Sequence, residues 1–377
     1  MILDMNSTNK INKLLLPFSV LYGWVVWFRN KFFDWKILPA EEFPIPVICV
    51  GNITVGGTGK TPHVEYLLRL LVGRCKVAVL SRGYKRKTSG FVLADEKATG
   101  KTIGDEPFQI FRKFPQAIVA VDGNRRRGIK KLLSLPEEEK PQVILLDDAF
   151  QHRYVKPSYS ILLVDSNRMT YEDTLLPAGR LRESWSEKDR ANMIIITKCS
   201  PGLKPIDYRL ISKHLKLYPY QSLFFTAFEY GELIPCFENE QRTRHSERSK
   251  ETHEQLKKLS EIKEANYAVL LVAGIANPEG LISELKTYTQ ELETLIFPDH
   301  HAFSKSDIQK IESEFEQLQG ENKLIITTEK DFVRLIDCDF SEDVKKAMFY
   351  LPVTVKFKNN EEILFTKKIY NHVKKFK

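Results

Sequence analysis

The stretch VICVGNITVGGTGKTPHVEYLLRLL, residues 47–71, decides the fold. It begins with an apolar run, continues through a glycine-rich segment, and ends with apolar residues at helical spacing. Strand, glycine-rich loop and helix in this order form the context of a phosphate-binding loop, or P-loop. Residues 54–61 match the pattern GxxxxGK[ST], except that Thr54 stands at the first position. The alternative is a glycine-rich turn with a chance Lys-Thr pair, which the flanking strand and helix disfavour.

The residue types of this loop suit the binding of a nucleoside triphosphate. Glycines let backbone N–H groups point at phosphate oxygens, and the helix N-terminus adds partial positive charge. Lys60 can reach the β- and γ-phosphates, and Thr61 can ligate Mg²⁺. The predicted nucleotide-binding residues are Thr54, Gly56, Gly57, Thr58, Gly59, Lys60 and Thr61.

The rest of the chain predicts an α/β fold like that of P-loop NTPases. Short runs rich in Val and Ile alternate with helical segments, as expected for strands buried on both faces of a mostly parallel sheet with helices on both faces. The predicted strands are 76–80, 117–121, 143–146, 161–164 and 193–197. The predicted organisation is an N-terminal membrane-associated helical segment at 1–40, a kinase core at 41–236, a charged linker at 237–265 and a smaller C-terminal α/β domain at 266–377.

Two carboxylates end one predicted strand, in VILLDD at 143–148. A P-loop enzyme needs an acidic side chain at the end of a neighbouring strand to hold Mg²⁺ or its water shell. Successive residues of an extended chain point to opposite sides, so one carboxylate can face the nucleotide. The sequence therefore predicts a Mg²⁺ site made by Thr61, Asp147 and Asp148.

Asp105, in GDEP at 104–107, is a candidate general base. A kinase uses a carboxylate near the acceptor hydroxyl to accept or position its proton. The same residues are also a good helix start, with Asp at the cap and Pro in the first turn. Both interpretations stay open from position alone.

Histidine and arginine clusters give further candidates. FPDHH at 297–301 carries two adjacent histidines, and a His bonded to a carboxylate is favoured there over a metal site, which needs more ligands. Arginines at 125–127 and at 180 and 182 are able to bind a phosphate. A solvated surface position remains the alternative for both groups.

An uncharged apolar segment at 14–28 lies between flanking lysines and arginines. It is shorter than the 18 residues expected of a spanning helix, but its aromatic residues and flanking cations suit a membrane interface. A buried core helix is the alternative. The net charge of +8 favours anionic partners. The five cysteines lack a metal-binding or disulfide pattern, which indicates a reducing compartment.

Taken together, the motifs resemble those of the tetraacyldisaccharide 4′-kinases, the lipid A 4′-kinases of Gram-negative bacteria. The matching segments are GNITVGGTGKTP (51–62), SRGYKR (81–86), GDEP (104–107), DGNRR (122–126), LLDDAFQHR (145–153), LLPAGRLRES (175–184), FPDHHAF (297–303) and TTEKDFVRL (327–335). Thr at the first P-loop position belongs to the pattern of this family.

The resemblance implies an inner-membrane lipid kinase on the cytoplasmic face. ATP, with Mg²⁺, would phosphorylate the 4′-hydroxyl of a tetraacylated glucosamine disaccharide 1-phosphate, a lipid A precursor. The smaller domain would close over the nucleotide. Neither nucleic acid nor an obligate protein partner is expected. The implied catalytic residues are Lys60, Asp105, Arg180 and His300, with Asp105 as base paired to His300; Arg125, Gln151 and His152 would lie on the substrate side.

Two other functions compete with this interpretation. One is a P-loop NTPase switch recruited to the membrane, since IIITK at 194–198 is similar to the strand-end lysine motif that reads guanine. Cys199 and Ser200 stand where a base-reading Asp would be needed. The other is a kinase of a soluble metabolite, which would have no use for the apolar N-terminal segment.

Overall fold

The computed structural model describes residues 11–237 and 258–376. Residues 238–257 of the predicted charged linker lie outside the described part of the chain. The described residues divide into two compact units. The first contains 11–98, 116–228 and 355–376; the second contains 99–115, 229–237 and 258–354.

The strands are short and mostly buried. They are β1 Val47–Gly51, β2 Val77–Ser81, β3 Val92–Leu93, β4 Ile118–Val121, β5 Val143–Asp147, β6 Tyr159–Asp165, β7 Met193–Thr197, β8 Ser222–Tyr230, β9 Ile234–Pro235, β10 Ala268–Ala273, β11 Leu292–Ile296, β12 Lys323–Thr328, β13 Met348–Leu351 and β14 Val353–Phe357.

The helices vary widely in length. They are α1 Leu16–Asp34, α2 Lys60–Leu71, α3 Gly100–Ile103, α4 Asp105–Lys113, α5 Arg125–Leu133, α6 Pro205–Leu215, α7 Leu259–Glu264, α8 Glu279–Leu285, α9 Lys305–Gln317, α10 Glu329–Leu335, α11 Glu342–Ala347 and α12 Glu362–Lys374. Short 3₁₀ helices occur at Lys13–Leu15, Thr170–Glu172 and Trp185–Arg190.

The first unit is built on a nine-stranded sheet in the order β14-β8-β7-β6-β1-β5-β2-β4-β3. The seven strands from β8 to β4 pair in parallel, and β3 joins β4 antiparallel. Strands β1, β2, β5 and β7 are buried along their whole length, which explains their continuous apolar sequence. The predicted mixed α/β fold with a large, mostly parallel sheet is confirmed.

The second unit has its own five-stranded sheet, in the order β11-β10-β12-β13-β9, with only β9 antiparallel. Helices α3 and α4, at 99–115, belong to this unit because α4 packs on α10. The core predicted at 41–236 includes that segment. Apolar periodicity indicates which face of a helix is buried, but not which element it packs against. The domain boundaries given above therefore stay a prediction.

Helix α1 is longer than the apolar run that predicted it. It packs on the first unit through polar contacts: the Ser19 hydroxyl accepts from the Ala178 N–H (2.8 Å), and the Asn30 amide donates to buried Glu183 (3.3 Å). Its other side exposes large apolar residues, including Phe18, Leu21 and Trp24, each more than 60% exposed. In the described part of the chain, no helix combines the length and the apolar character needed to cross a membrane.

Candidate active site

The P-loop lies between β1 and α2 in the first unit. Gly56 (φ 108°) and Gly59 (φ 83°) adopt left-handed backbone conformations that residues with a Cβ rarely tolerate. A Cβ on Gly59 would also lie 2.6 Å from the Phe228 ring. Lys60 and Thr61 then begin α2, so the backbone N–H groups of this turn remain available to an anion.

The last residue of β7, Thr197, and the next residue, Lys198, both contact the loop. The Thr197 hydroxyl donates to the carbonyl of buried Thr58 (2.9 Å). The Lys198 ammonium donates to the Gly57 carbonyl and to Asp165 (2.7 Å). The sequence around Lys198 indicates only a similarity to a base-reading lysine. In the structure its ammonium contacts the P-loop itself.

The segment 180–182 holds the loop from another side. Thr54 forms an antiparallel bridge with Leu181, and the Val55 N–H donates to the Arg180 carbonyl (2.9 Å). The Gln151 amide donates to the carbonyl of Asn52 (2.6 Å). Gln151 and Arg180, both predicted site residues, therefore lie against the P-loop.

Asp148 is the carboxylate nearest the P-loop lysine. Its oxygens lie 3.6 Å from the Lys60 ammonium and 3.5 Å from the Arg182 guanidinium. Burial opposes ionisation of Asp148, but Lys60 and Arg182 outweigh it and hold its pKa below the usual value. The carboxylate is therefore charged at neutral pH. Arg182, a phosphate-binding candidate from the sequence, pairs with this carboxylate.

Asp147, which precedes Asp148, and Arg125 are both buried. Asp147 ends β5 and is 1% exposed. Arg125, 2% exposed, donates to the carbonyls of Asp147 (3.4 Å) and Asp122 (2.7 Å). Burial lowers the pKa of Arg125, while Asp147 and Asp148 act in the opposite direction. Arg125 is thus a buried cation beside both predicted Mg²⁺ carboxylates.

His152 and Arg180 complete the predicted residues of the first unit. Burial, followed by the nearby arginines 125, 29, 126 and 82, lowers the pKa of His152 to about 4, so its ring is neutral at pH 7. The Arg180 backbone N–H donates to Asp173 (3.3 Å). Among the described residues, the Arg180 guanidinium forms no ion pair.

A second polar cluster, in the second unit, contains Asp105 and His300. His300 Nδ1 lies 3.3 Å from Asp105 Oδ2, although 195 residues separate the two. Arg334 Nε donates to the same oxygen at 2.7 Å. Burial would raise the pKa of Asp105, but His300 and Arg334 outweigh it and lower that pKa. Asp105 is therefore an ionised carboxylate at neutral pH.

Helix α10 supplies the cations of this cluster. The Lys330 ammonium lies 2.9 Å from Asp299 and 3.0 Å from His300 Nε2. Arg334 donates to Asp331 (2.9 Å), which is fully buried. Sequence reasoning missed these residues as site components. The available signal was the i, i+4 spacing of Lys330 and Arg334 within TTEKDFVRL, residues 327–335.

The predicted site residues thus fall into two groups. The P-loop residues, Asp147, Asp148, Arg125, Gln151, His152 and Arg180 belong to the first unit; Asp105 and His300 belong to the second. Asp105 and His300 contact each other. In the first unit, Lys60 contacts Asp148, Arg125 contacts Asp147, and the Arg180 carbonyl contacts the P-loop.

Comparison with known proteins gives matches along nearly the whole chain. A family model described as tetraacyldisaccharide-1-P 4′-kinase matches residues 11–372. The tetraacyldisaccharide 4′-kinase of Parabacteroides distasonis is 52% identical, over 98% of this chain and 96% of that protein. That of Bacteroides thetaiotaomicron is 50% identical, over 97% and 94%.

A solved structure agrees with these relatives. The ATP complex of LpxK from Aquifex aeolicus superposes with a TM-score of 0.68 at 29% identity, covering 95% of this chain and 98% of that one. On the family model and on these relatives, the chain belongs to the tetraacyldisaccharide-1-P 4′-kinase family and is a phosphotransferase.

Proposed function

We propose that the chain transfers the γ-phosphate of ATP to the 4′-hydroxyl of a tetraacylated glucosamine disaccharide 1-phosphate, a lipid A precursor. Relatives that carry this activity in their name are 44–52% identical over almost their full length. The related structure from Aquifex aeolicus contains ATP, which supports ATP as the donor. The P-loop, with its two left-handed glycines and Lys60, fits the donor phosphates.

Mg²⁺ is the proposed cofactor. Thr61, Asp147 and Asp148 offer a hydroxyl and two carboxylates, the oxygen ligands that Mg²⁺ prefers. Within residues 11–237 and 258–376, no three His, Cys, Asp or Glu side chains form a metal cluster. A nucleotide-bound Mg²⁺ requires fewer protein ligands, because substrate phosphates and water supply the others. When bound, it would neutralise phosphate charge.

The contact between Asp105 and His300 is the observation that carries the proposal. A transfer enzyme needs a base for the acceptor, whereas a nucleotide switch does not.

In the proposed step the 4′-oxygen forms a bond to the γ-phosphorus, the bond to the β–γ bridging oxygen breaks, and ADP leaves. The hydroxyl proton passes to Asp105. Lys60 and Arg180 would stabilise the charge on the transferred group, and Arg125, Gln151 and His152 would position the acceptor.

The proposed location is the cytoplasmic face of the inner membrane. The exposed apolar side of α1, with cations at Lys31 and Lys36 near its C-terminus, supports an interfacial position. Such a position would bring the site to an acceptor that does not dissolve in water.

The test is transfer of ³²P from γ-labelled ATP to the tetraacyl disaccharide 1-phosphate in detergent micelles, with wild type and Asp105→Ala. The proposal predicts labelled lipid from wild type and a loss of several orders of magnitude in the variant. ATP binding without labelled lipid would favour the switch or the soluble-metabolite kinase. Near-normal transfer by Asp105→Ala would exclude Asp105 as the base.

A further inference from the structure

In the second polar cluster, a chain of ionic contacts leads from Asp331 through Arg334 to Asp105. Its deepest member is Asp331, whose Oδ2 accepts from the Gly274 N–H (2.8 Å) and the Thr328 hydroxyl (2.6 Å). These donors fix a carboxylate that is fully buried. Asp331 Oδ1 in turn accepts from Arg334 NH1 (2.9 Å). Asp331 therefore fixes the position of the Arg334 guanidinium.

Arg334 presents its Nε donor to the proposed base. Nε lies 2.7 Å from Asp105 Oδ2, and NH2 lies 3.3 Å from His300 Nδ1. The Arg334 side chain is only 9% exposed, so water screens this interaction weakly. In the described part of the chain, the hydrogen bonds of the Asp105 side chain all fall on Oδ2. Oδ1 is left for an acceptor hydroxyl.

Lys330 determines where His300 carries its proton. An ammonium has donors only, so the 3.0 Å contact with Lys330 makes Nε2 of His300 the acceptor. In the neutral ring the proton then lies on Nδ1, which faces Asp105 Oδ2. His300 and Arg334 thus both donate to one oxygen of Asp105.

We propose that Arg334, anchored by Asp331, is the positioning residue that keeps Asp105 ionised and leaves its Oδ1 for the acceptor hydroxyl. This inference rests on the proposed function, since it assumes that Asp105 is the base. Arg334 itself touches neither the donor nor the acceptor in this account. It acts through Asp105, and its effect must therefore depend on pH.

The direction of that dependence follows from the surroundings of Asp105. The charged and titratable groups on the elements packed against it are Glu106, Lys101, Asp299, His300, Glu329, Lys330, Asp331 and Arg334. Glu329 is paired with Lys113, and Arg334 is the cation in direct contact with Asp105. Without Arg334, only His300 would oppose the effect of burial, so the pKa of Asp105 would be higher than in wild type and more of the base would be protonated at mildly acidic pH.

The experiment measures kcat for lipid phosphorylation between roughly pH 5 and pH 9, always as the ratio of variant to wild type. The ratio cancels the titration of the nucleotide. For Arg334→Met, the kcat ratio at about pH 5 should be roughly tenfold lower than the kcat ratio at the pH-independent alkaline end. The KM for ATP should be unchanged. Arg334→Lys keeps the charge and should show a ratio independent of pH.

Lys113→Met is the matched control. It removes another cation between α4 and α10, one that pairs with Glu329 and not with Asp105. Its ratio should not change with pH. If Arg334→Met fails to fold by thermal melting, Arg334→Gln makes the same test, because it keeps a donor and removes the charge.

The outcomes separate the two proposals. A pH-independent ratio for the uncharged variant overturns the role of Arg334, and so does an equal acidic loss in Lys113→Met. Absence of lipid phosphorylation by wild type would instead overturn the proposed function.

Discussion

Lys60 is the residue on which the P-loop chemistry depends most directly. Its ammonium lies 3.6 Å from Asp148 and its side chain is only 13% exposed, so a compact charge is held where donor phosphates would bind. Asp148 stays ionised because Lys60 and Arg182 outweigh the effect of burial on its pKa. The pair is preorganised to stabilise charge on a phosphoryl group.

Removing this charge should abolish most of the activity. We expect Lys60→Ala to lower kcat by roughly a thousandfold or more without loss of fold, because transition-state charge is then unbalanced. Steady-state lipid phosphorylation and thermal melting check both parts. Lys140→Ala, which loses only a surface pair with Glu137, is the control. Activity within tenfold of wild type would contradict the role of Lys60.

His63 links the P-loop to the pH dependence of stability. It is 4% exposed, and its ring bonds the Gly59 carbonyl (2.7 Å) and the Thr226 hydroxyl (3.1 Å). A carbonyl only accepts, so Nδ1 carries the proton and Nε2 accepts from Thr226. Burial lowers the pKa of His63 from 6.5 to about 4. The folded state therefore excludes the charged ring.

Stability should consequently fall as the pH drops from 6.5 towards 4, because the unfolded chain binds this proton first. At pH 5 the loss from His63 is about 2 kcal/mol. His63→Gln should melt with a smaller decrease in Tm between pH 7 and pH 5 than wild type. The exposed His214→Gln is the control. Equal decreases in all three proteins would show that His63 is not the cause.

The position of β7 was predictable from the sequence, but the contacts made at its end were not. The sequence located β7 through its apolar run, and the P-loop through its glycines, because both are local patterns. The partners of Lys198 were not predictable, since Gly57 lies 141 residues away. The contact between Arg334 and Asp105 was not predictable for the same reason, since 229 residues separate them. Contacts of this kind are decided by packing, which periodicity does not report.

Lys198, the residue that follows β7, should affect nucleotide binding. Lys198→Met removes the bond to the Gly57 carbonyl and the ion pair with Asp165, so the P-loop loses one fixed point. We expect KM for ATP to rise roughly tenfold, with a smaller change in kcat. Lys213→Met, on the exposed side of α6, should leave both constants unchanged. An unaltered KM for ATP in Lys198→Met would contradict the contact.

Helix α1 should determine membrane binding. Phe18→Glu combined with Leu21→Glu places charges on its exposed apolar side, where each residue is 61% exposed. Binding to anionic phospholipid vesicles in a sedimentation assay should fall more than roughly tenfold, with an unchanged Tm. Ile206→Glu, on an exposed position of α6, is the control. Undiminished vesicle binding would mean that α1 does not enter the interface.

At the scale of the whole molecule, the family and the sheet predicted from the sequence agree with the family match and with the structure. The order of motifs along the chain predicted the family, and the match over residues 11–372 confirms it. The strand pattern predicted a large, mostly parallel sheet, which the first unit has. The assignment of α3 and α4 to the second unit was not predictable, because it depends on packing against α10, more than 200 residues later.

The central claim is that the phosphate reaches the 4′-oxygen of the lipid. The direct measurement is ³¹P NMR of the purified product after incubation of the full chain with ATP, Mg²⁺ and the tetraacyl disaccharide 1-phosphate. The account predicts a second monoester resonance, coupled to the proton on C4′, with wild type, and none with Lys60→Ala. A product with only the original 1-phosphate resonance, while ATP is bound or hydrolysed, would contradict it.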